Sequence, residues 1–249
     1  MGDSGARGYP HDIPWDVAIV EIGTKSRDIT CGGSLLSNEV VLTAAHCEPI
    51  TERNRVLIGA KSKIDIYVED NLHEIHDHVK HPKYETFEAS TAAFDIYDFM
   101  ILLLKPKLKY CSTAFARLPS PIVDDEFLTG KTLLLSGWGS MLAVTREQVI
   151  NSYKQIKPIP KHIPDHLRAL EIPYLPNYIC QMRHNEFFSV TYNTIVGNKG
   201  TLVKDLKFES GSSMLCASIC PSEDLTECKS RPTGGCEGDS GCKLIITIL

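Results

Sequence analysis

Short runs of apolar and β-branched residues recur along the chain, separated by residues that favour turns. Val17-Ala18-Ile19-Val20, Val40-Val41-Leu42, Arg55-Val56-Leu57-Ile58, Ile64-Asp65-Ile66-Tyr67-Val68 and Thr132-Leu133-Leu134-Leu135 each have the length and composition of a strand. This spacing predicts an all-β chain built as a barrel or sandwich. No helical stripe of more than about three turns competes with it. The best helical candidate is Ile163-Pro164-Asp165-His166-Leu167-Arg168-Ala169-Leu170, where the proline falls in a first turn that tolerates it. The longest apolar stretch, Phe99 to Leu104, is far shorter than the roughly 20 residues that a membrane helix needs, so no membrane role is expected.

With 249 residues, 43% of them hydrophobic, the chain can bury a substantial core, and an all-β chain of this size forms one two-lobed unit. Its net charge of −5 and lack of a long basic run argue against nucleic acid as a partner. Nine cysteines, not grouped as C-x2-C pairs, point to disulfides and an oxidising compartment rather than to zinc. The N-terminal residues Met1 to Pro10 contain no apolar h-region, so no signal peptide is visible in this chain. Cysteine usage and targeting therefore point in different directions.

Two segments far apart in sequence carry complementary chemistry. Gly235-Cys236-Glu237-Gly238-Asp239-Ser240-Gly241 offers a serine, and Leu42-Thr43-Ala44-Ala45-His46-Cys47 offers an imidazole. A serine hydroxyl becomes nucleophilic near neutral pH when an imidazole takes its proton, and a carboxylate must fix that imidazole's tautomer. Asp98, directly before the apolar run Phe99 to Leu104, can supply the carboxylate. Asp95 is its local rival.

Taken in order, CGGSLLS, LTAAHC, DFMILLL, LSGWG and CEGDSG resemble the chymotrypsin/trypsin-like serine proteases. The resemblance runs from Pro14-Trp15 to about Ile246. It implies a chymotrypsin-like double β-barrel occupying residues 14–249, with a non-standard segment 1–13 before it. His46 and Asp98 come from the first barrel and Ser240 from the second, the substrate lying between. It further implies that Gly238 and Ser240 form the oxyanion hole through their backbone amides, and that Gly234 stands at the floor of the specificity pocket. A glycine there offers no carboxylate for a Lys or Arg side chain. Two disulfides are implied, Cys31–Cys47 and Cys180–Cys216, while Cys111, Cys220, Cys228, Cys236 and Cys242 have no assigned partner. Leu133 and Ile246 occupy positions that hold a further cysteine pair in many relatives, which suits an apolar contact instead.

The resemblance implies no cofactor and no metal. The cluster of His73, His76 and His78 with His81 invites a metal reading, because alternate residues of a strand, such as His76 and His78, share one face. In the family, however, a strand with solvated side chains ends at this point in His-Pro, as in His81-Pro82. Expected partners are protein or peptide substrates and protein inhibitors, and the expected location is extracellular. The ends depart from the family pattern. No Ile or Val precedes Pro14 at the distance where an activated terminus would pair with Asp239, and after Cys242-Lys243 the chain stops at Leu249, so the second barrel is expected to be truncated. The segments between Trp138 and Leu167 and between Cys180 and Cys216 are longer than usual and belong on the surface. The leading expectation is a serine endopeptidase working through an acyl-enzyme. The alternatives are a catalytically weak or inactive protease-like binding protein and a fragment of an active protease.

Overall fold

The computed structural model describes residues 13–24, 26–89, 92–108, 114–119, 124–139, 164–182, 215–217 and 243–246, with backbone alone for 87–89, 92–94 and 243–246. Its centre is a closed antiparallel barrel made of β1 (Asp16–Ile22), β2 (Arg27–Leu35), β3 (Val40–Thr43), β4 (Asn54–Ile58), β5 (Leu72–Lys80) and β8 (Met100–Leu104), in the order β1-β2-β3-β8-β5-β4. Between β5 and β8 the chain forms a hairpin of β6 (Glu85–Ala89) and β7 (Ala92–Ile96). A second sheet has β9 (Thr132–Gly137) between β10 (Arg168–Pro173) and β11 (Lys243–Ile246).

The run Val17 to Val20 is apolar throughout because β1 is covered on both faces. Side chains alternate across a strand. Val17 and Ile19 point into the barrel with Cys31, Leu35, Val41, Val56, Met100, Leu102 and Leu104. Ala18 and Val20 face outward, where Leu57, Trp138 and Leu167 bury them. Each such Leu or Ile, fully buried, stabilises the fold by about 1.5–3 kcal/mol before entropy is counted. Trp138 leaves the end of β9 and Leu167 precedes β10, so this second cluster fastens the two sheets to each other. A buried hydrogen bond adds to it: Ser136 Oγ on β9 donates to Asp16 Oδ2 on β1 at 2.5 Å.

At Gly33, atoms of β1 and β3 crowd the position of a side chain on β2. A Cβ there would meet Val41 Cγ1 at 3.0 Å, the Leu42 carbonyl oxygen at 3.1 Å and Val17 Cγ2 at 3.1 Å. The carbonyl belongs to a paired strand and cannot rotate away. Gly33→Ala is therefore expected to destabilise the protein by about 1–3 kcal/mol. Urea denaturation checks this, and an unchanged midpoint would show that the barrel wall gives way without strain.

Two local expectations are corrected. Ile64 to Val68 is not a strand: Lys63–Tyr67 is a 3-10 helix. Ser62 caps it, and the Asp65 carboxylate accepts from the backbone amides of Lys61 and Ser62. These local bonds compete with any strand ladder. Ile66 is buried while Ile64 is 71% exposed, so the alternating pattern buries one residue only. The helical candidate Ile163 to Leu170, in its described part 164–170, instead runs into β10, whose residues pair in register with β9 from Arg168↔Gly137 to Pro173↔Thr132. The same sheet sets Ile246 opposite Leu133, the two positions singled out above for an apolar contact. Much of the two long segments, 140–163 and 183–214, lies outside the described residues.

Candidate active site

His46 and Asp98 are brought together by the pairing of β3 with β8. Thr43 pairs with Met100 at the end of that ladder, so the residues just after β3 and just before β8 leave the barrel at the same edge. His46 sits in a 3-10 turn, Ala45–Cys47. The turn is tied down twice: Thr43 Oγ1 donates to the Gly32 carbonyl at 2.8 Å, and Cys47 is disulfide-bonded to Cys31 of β2 with Cα atoms 6.2 Å apart. Asp98 follows Tyr97, whose φ of 51° is left-handed and uncommon for a bulky residue. Tyr97 is held there by its ring, which stacks on His81 at 5.0 Å with planes 8° apart, and by its carbonyl, which accepts from Phe99 N at 2.7 Å. This turn aims the carboxylate.

Both carboxylate oxygens of Asp98 are engaged by His46. Oδ2 lies 2.5 Å from the ring Nδ1, and Oδ1 accepts from the His46 backbone amide at 2.9 Å. Asp95 Oδ2 is 3.8 Å from the same Nδ1. The hydrogen bond that His46 donates to Asp98 raises the histidine's pKa above its ordinary value. Partial burial works against this, and the negative charges of Asp98 and Asp95 add to it. Burial pushes the Asp98 pKa upward, but the hydrogen bonds from the His46 ring and from the backbone outweigh it, and the pKa ends below the usual carboxylate range. The pair therefore favours imidazolium beside carboxylate. That is the charge state a base reaches after accepting a proton.

Of the expected site residues, the structure brings together His46 and Asp98, with Asp95 beside them. Ser240, Gly238 and Gly234 lie outside the described residues. The strand that follows the serine, β11, begins three residues after it, and Lys243 pairs with Ser136, the residue hydrogen-bonded to the first barrel. The second disulfide, Cys180–Cys216, joins a helical turn at 177–182 to the segment 215–217, with Cα atoms 6.0 Å apart. Tyr84 and Thr86, which hydrogen-bond Asp95, were not visible as site residues from sequence. Their alternate spacing near a strand start is the one signal that could have suggested them.

The histidines of β5 do not converge on a common point. His78 Nε2 lies 3.2 Å from Glu48 Oε1, whose other oxygen pairs with Lys80 at 2.6 Å, and half-burial lowers the pKa of His73. Among the described residues, side chains close enough to share an ion are His46 with Asp95 and Asp98, and His46 with the two disulfide-bonded cysteines. No helix among the described residues is long and apolar enough to cross a membrane.

Comparisons with known proteins identify the family. Residues 3–245 match the family model described as Trypsin. Mast cell protease 2 of Meriones unguiculatus is 29% identical over 218 residues, covering 86% of this chain and 76% of the relative. Kallikrein-1 of Mus musculus is 28% identical over 214 residues, covering 83% and 71%. A solved structure titled neuropsin, a serine protease expressed in the limbic system of mouse brain, aligns with a TM-score of 0.62 at 19% identity over 97% of this chain and 81% of its own. The fold is thus the chymotrypsin-like β fold. The chain belongs to the trypsin family of serine proteases, enzymes that act on proteins or peptides.

Proposed function

We propose that this protein is a serine endopeptidase that cleaves peptide bonds through an acyl-enzyme, with His46, Asp98 and Ser240 as its triad. The observation that carries the reading is the 2.5 Å contact between His46 Nδ1 and Asp98 Oδ2, made at a barrel edge by a turn that a disulfide holds. With Nδ1 donating to Asp98, the imidazole is fixed in the tautomer whose Nε2 carries the lone pair. Nε2 then takes the Ser240 hydroxyl proton as the oxygen attacks the scissile carbonyl. It returns that proton to the leaving amine and repeats the cycle with water. The Gly238 and Ser240 amides are assigned to the developing oxyanion, and Gly234 to a pocket floor without charge. The protease domain is assigned to residues 14–249. Secretion and recognition by protein inhibitors complete the proposal, the first supported by the two disulfides.

The direct test is covalent. A fluorophosphonate should add to Ser240 Oγ with loss of fluoride, leaving one modified peptide in a digest. Peptide hydrolysis without modification of Ser240, or equal labelling of native and denatured protein, would overturn the assignment.

A further inference from the structure

The hairpin β6–β7 places a second carboxylate against the base. Asp95 stands near the end of β7, and its two oxygens have different surroundings. Oδ1 accepts from Thr86 Oγ1 at 2.7 Å and from the Tyr84 hydroxyl at 3.2 Å. Oδ2 is turned toward His46 Nδ1 at 3.8 Å, beyond hydrogen-bond reach but within strong electrostatic range. The Asp95 side chain is 22% exposed, so solvent screens this contact less than it would a surface pair. Burial raises the pKa of Tyr84, and the Asp95 charge adds to the effect, which keeps the hydroxyl a donor.

We propose that Asp95 is a positioning residue of the catalytic machinery: a second carboxylate, clamped by Tyr84 and Thr86, whose charge acts on His46 alongside that of Asp98. The proposal rests on the reading of His46 as the base. A fixed negative charge beside Nδ1 favours imidazolium. It therefore stabilises the charge that develops when the serine proton is transferred, and it moves the deprotonation of the free enzyme's base to higher pH. The other groups around His46 do not duplicate this role. The Cys31–Cys47 disulfide does not titrate, Tyr84 is neutral, and Glu48, at the end of the same turn, is engaged by Lys80 and His78. Asp98 and Asp95 are the two charges that act on the imidazole among the described residues.

The test is a nuclear magnetic resonance titration of the His46 ring in the full chain, run beside a pH profile of kcat/KM. Asp95→Asn should lower the His46 pKa, by less than Asp98→Asn does, because Asp98 also accepts the hydrogen bond of Nδ1. The acid limb of kcat/KM should move to lower pH by the same interval. Turnover on the plateau should fall about two- to fivefold, the size expected of a partly exposed charge pair. Asp95→Glu should restore part of both effects. Asp95→Ser removes the same charge with a smaller side chain and should shift the His46 pKa in the same direction, so the proposal stays testable if Asp95→Asn does not fold. An unmoved His46 pKa in a folded Asp95→Asn or Asp95→Ser variant would overturn it. The titration needs no turnover: a shifted pKa in a chain without Ser240-dependent activity would uphold the Asp95 contact and sink the catalytic reading, and the reverse pattern would do the opposite.

Discussion

His46→Ala is expected to lower kcat for peptide hydrolysis by on the order of 10^6-fold, the loss that follows when the base of a Ser-His-Asp triad is removed. On the proposed mechanism the serine hydroxyl then loses the group assigned to take its proton, and the carboxylates at this edge are engaged with His46. Steady-state assays would check this, and a loss smaller than about a hundredfold would remove His46 from the role of base. The same substitution should leave a pH signature in stability. The folded-state pKa of His46 is raised, so the contribution from its ion pair is fully present below the unfolded histidine value and is lost as pH rises through the folded one. The Asp98 pKa is lowered, so its share is present above the unfolded carboxylate value and is lost as pH falls through the folded one. The pair thus stabilises the fold between the carboxylate and histidine ranges. Urea midpoints of His46→Ala and the parent should differ more at mildly acidic pH than at alkaline pH.

Much of this arrangement was legible in the sequence where one physical signal dominated. Val17 to Val20, Val40 to Leu42, Arg55 to Ile58 and Thr132 to Leu135 all fall within strands, because their branched apolar side chains are buried against neighbours on the pleat. Ile64 to Val68 showed the same alternation and misled, since side-chain to backbone bonds from Ser62 and Asp65 won locally. Arg168 to Pro173 was hidden for the opposite reason: pairing with β9, a tertiary effect, overrides a segment that could otherwise form a helix. At the site, the order of motifs singled out His46 and Asp98. Asp95 entered the reading as an alternative to Asp98, a choice that composition could pose but not resolve. The structure sets both carboxylates against one nitrogen, through a left-handed Tyr97 and a hairpin that no local pattern announced.

Asp98→Asn is expected to reduce kcat by about 10^4-fold while the protein stays folded at neutral pH, as in the triad template of this family. The argument lies in the two bonds that Asp98 makes. An asparagine can keep its carbonyl on the His46 backbone amide, so the turn at 45–47 retains its anchor. Its NH2 then faces Nδ1 and donates to it, which places the imidazole proton on Nε2, the nitrogen that the proposed mechanism needs free to accept the serine proton. Geometry survives and the tautomer is wrong. Asp98→Ala should behave differently, because it also leaves the His46 amide without its carboxylate acceptor and loosens the turn, lowering the unfolding midpoint as well as turnover. In Asp98→Asn the remaining carboxylate beside Nδ1 is Asp95, and its pull on the Nδ1-protonated form should preserve a fraction of molecules in the productive tautomer. Removing it in the double variant Asp98→Asn/Asp95→Asn should therefore cut turnover by a larger factor than Asp95→Asn does in the parent. Equal factors in the two backgrounds would show that the two carboxylates act on His46 independently.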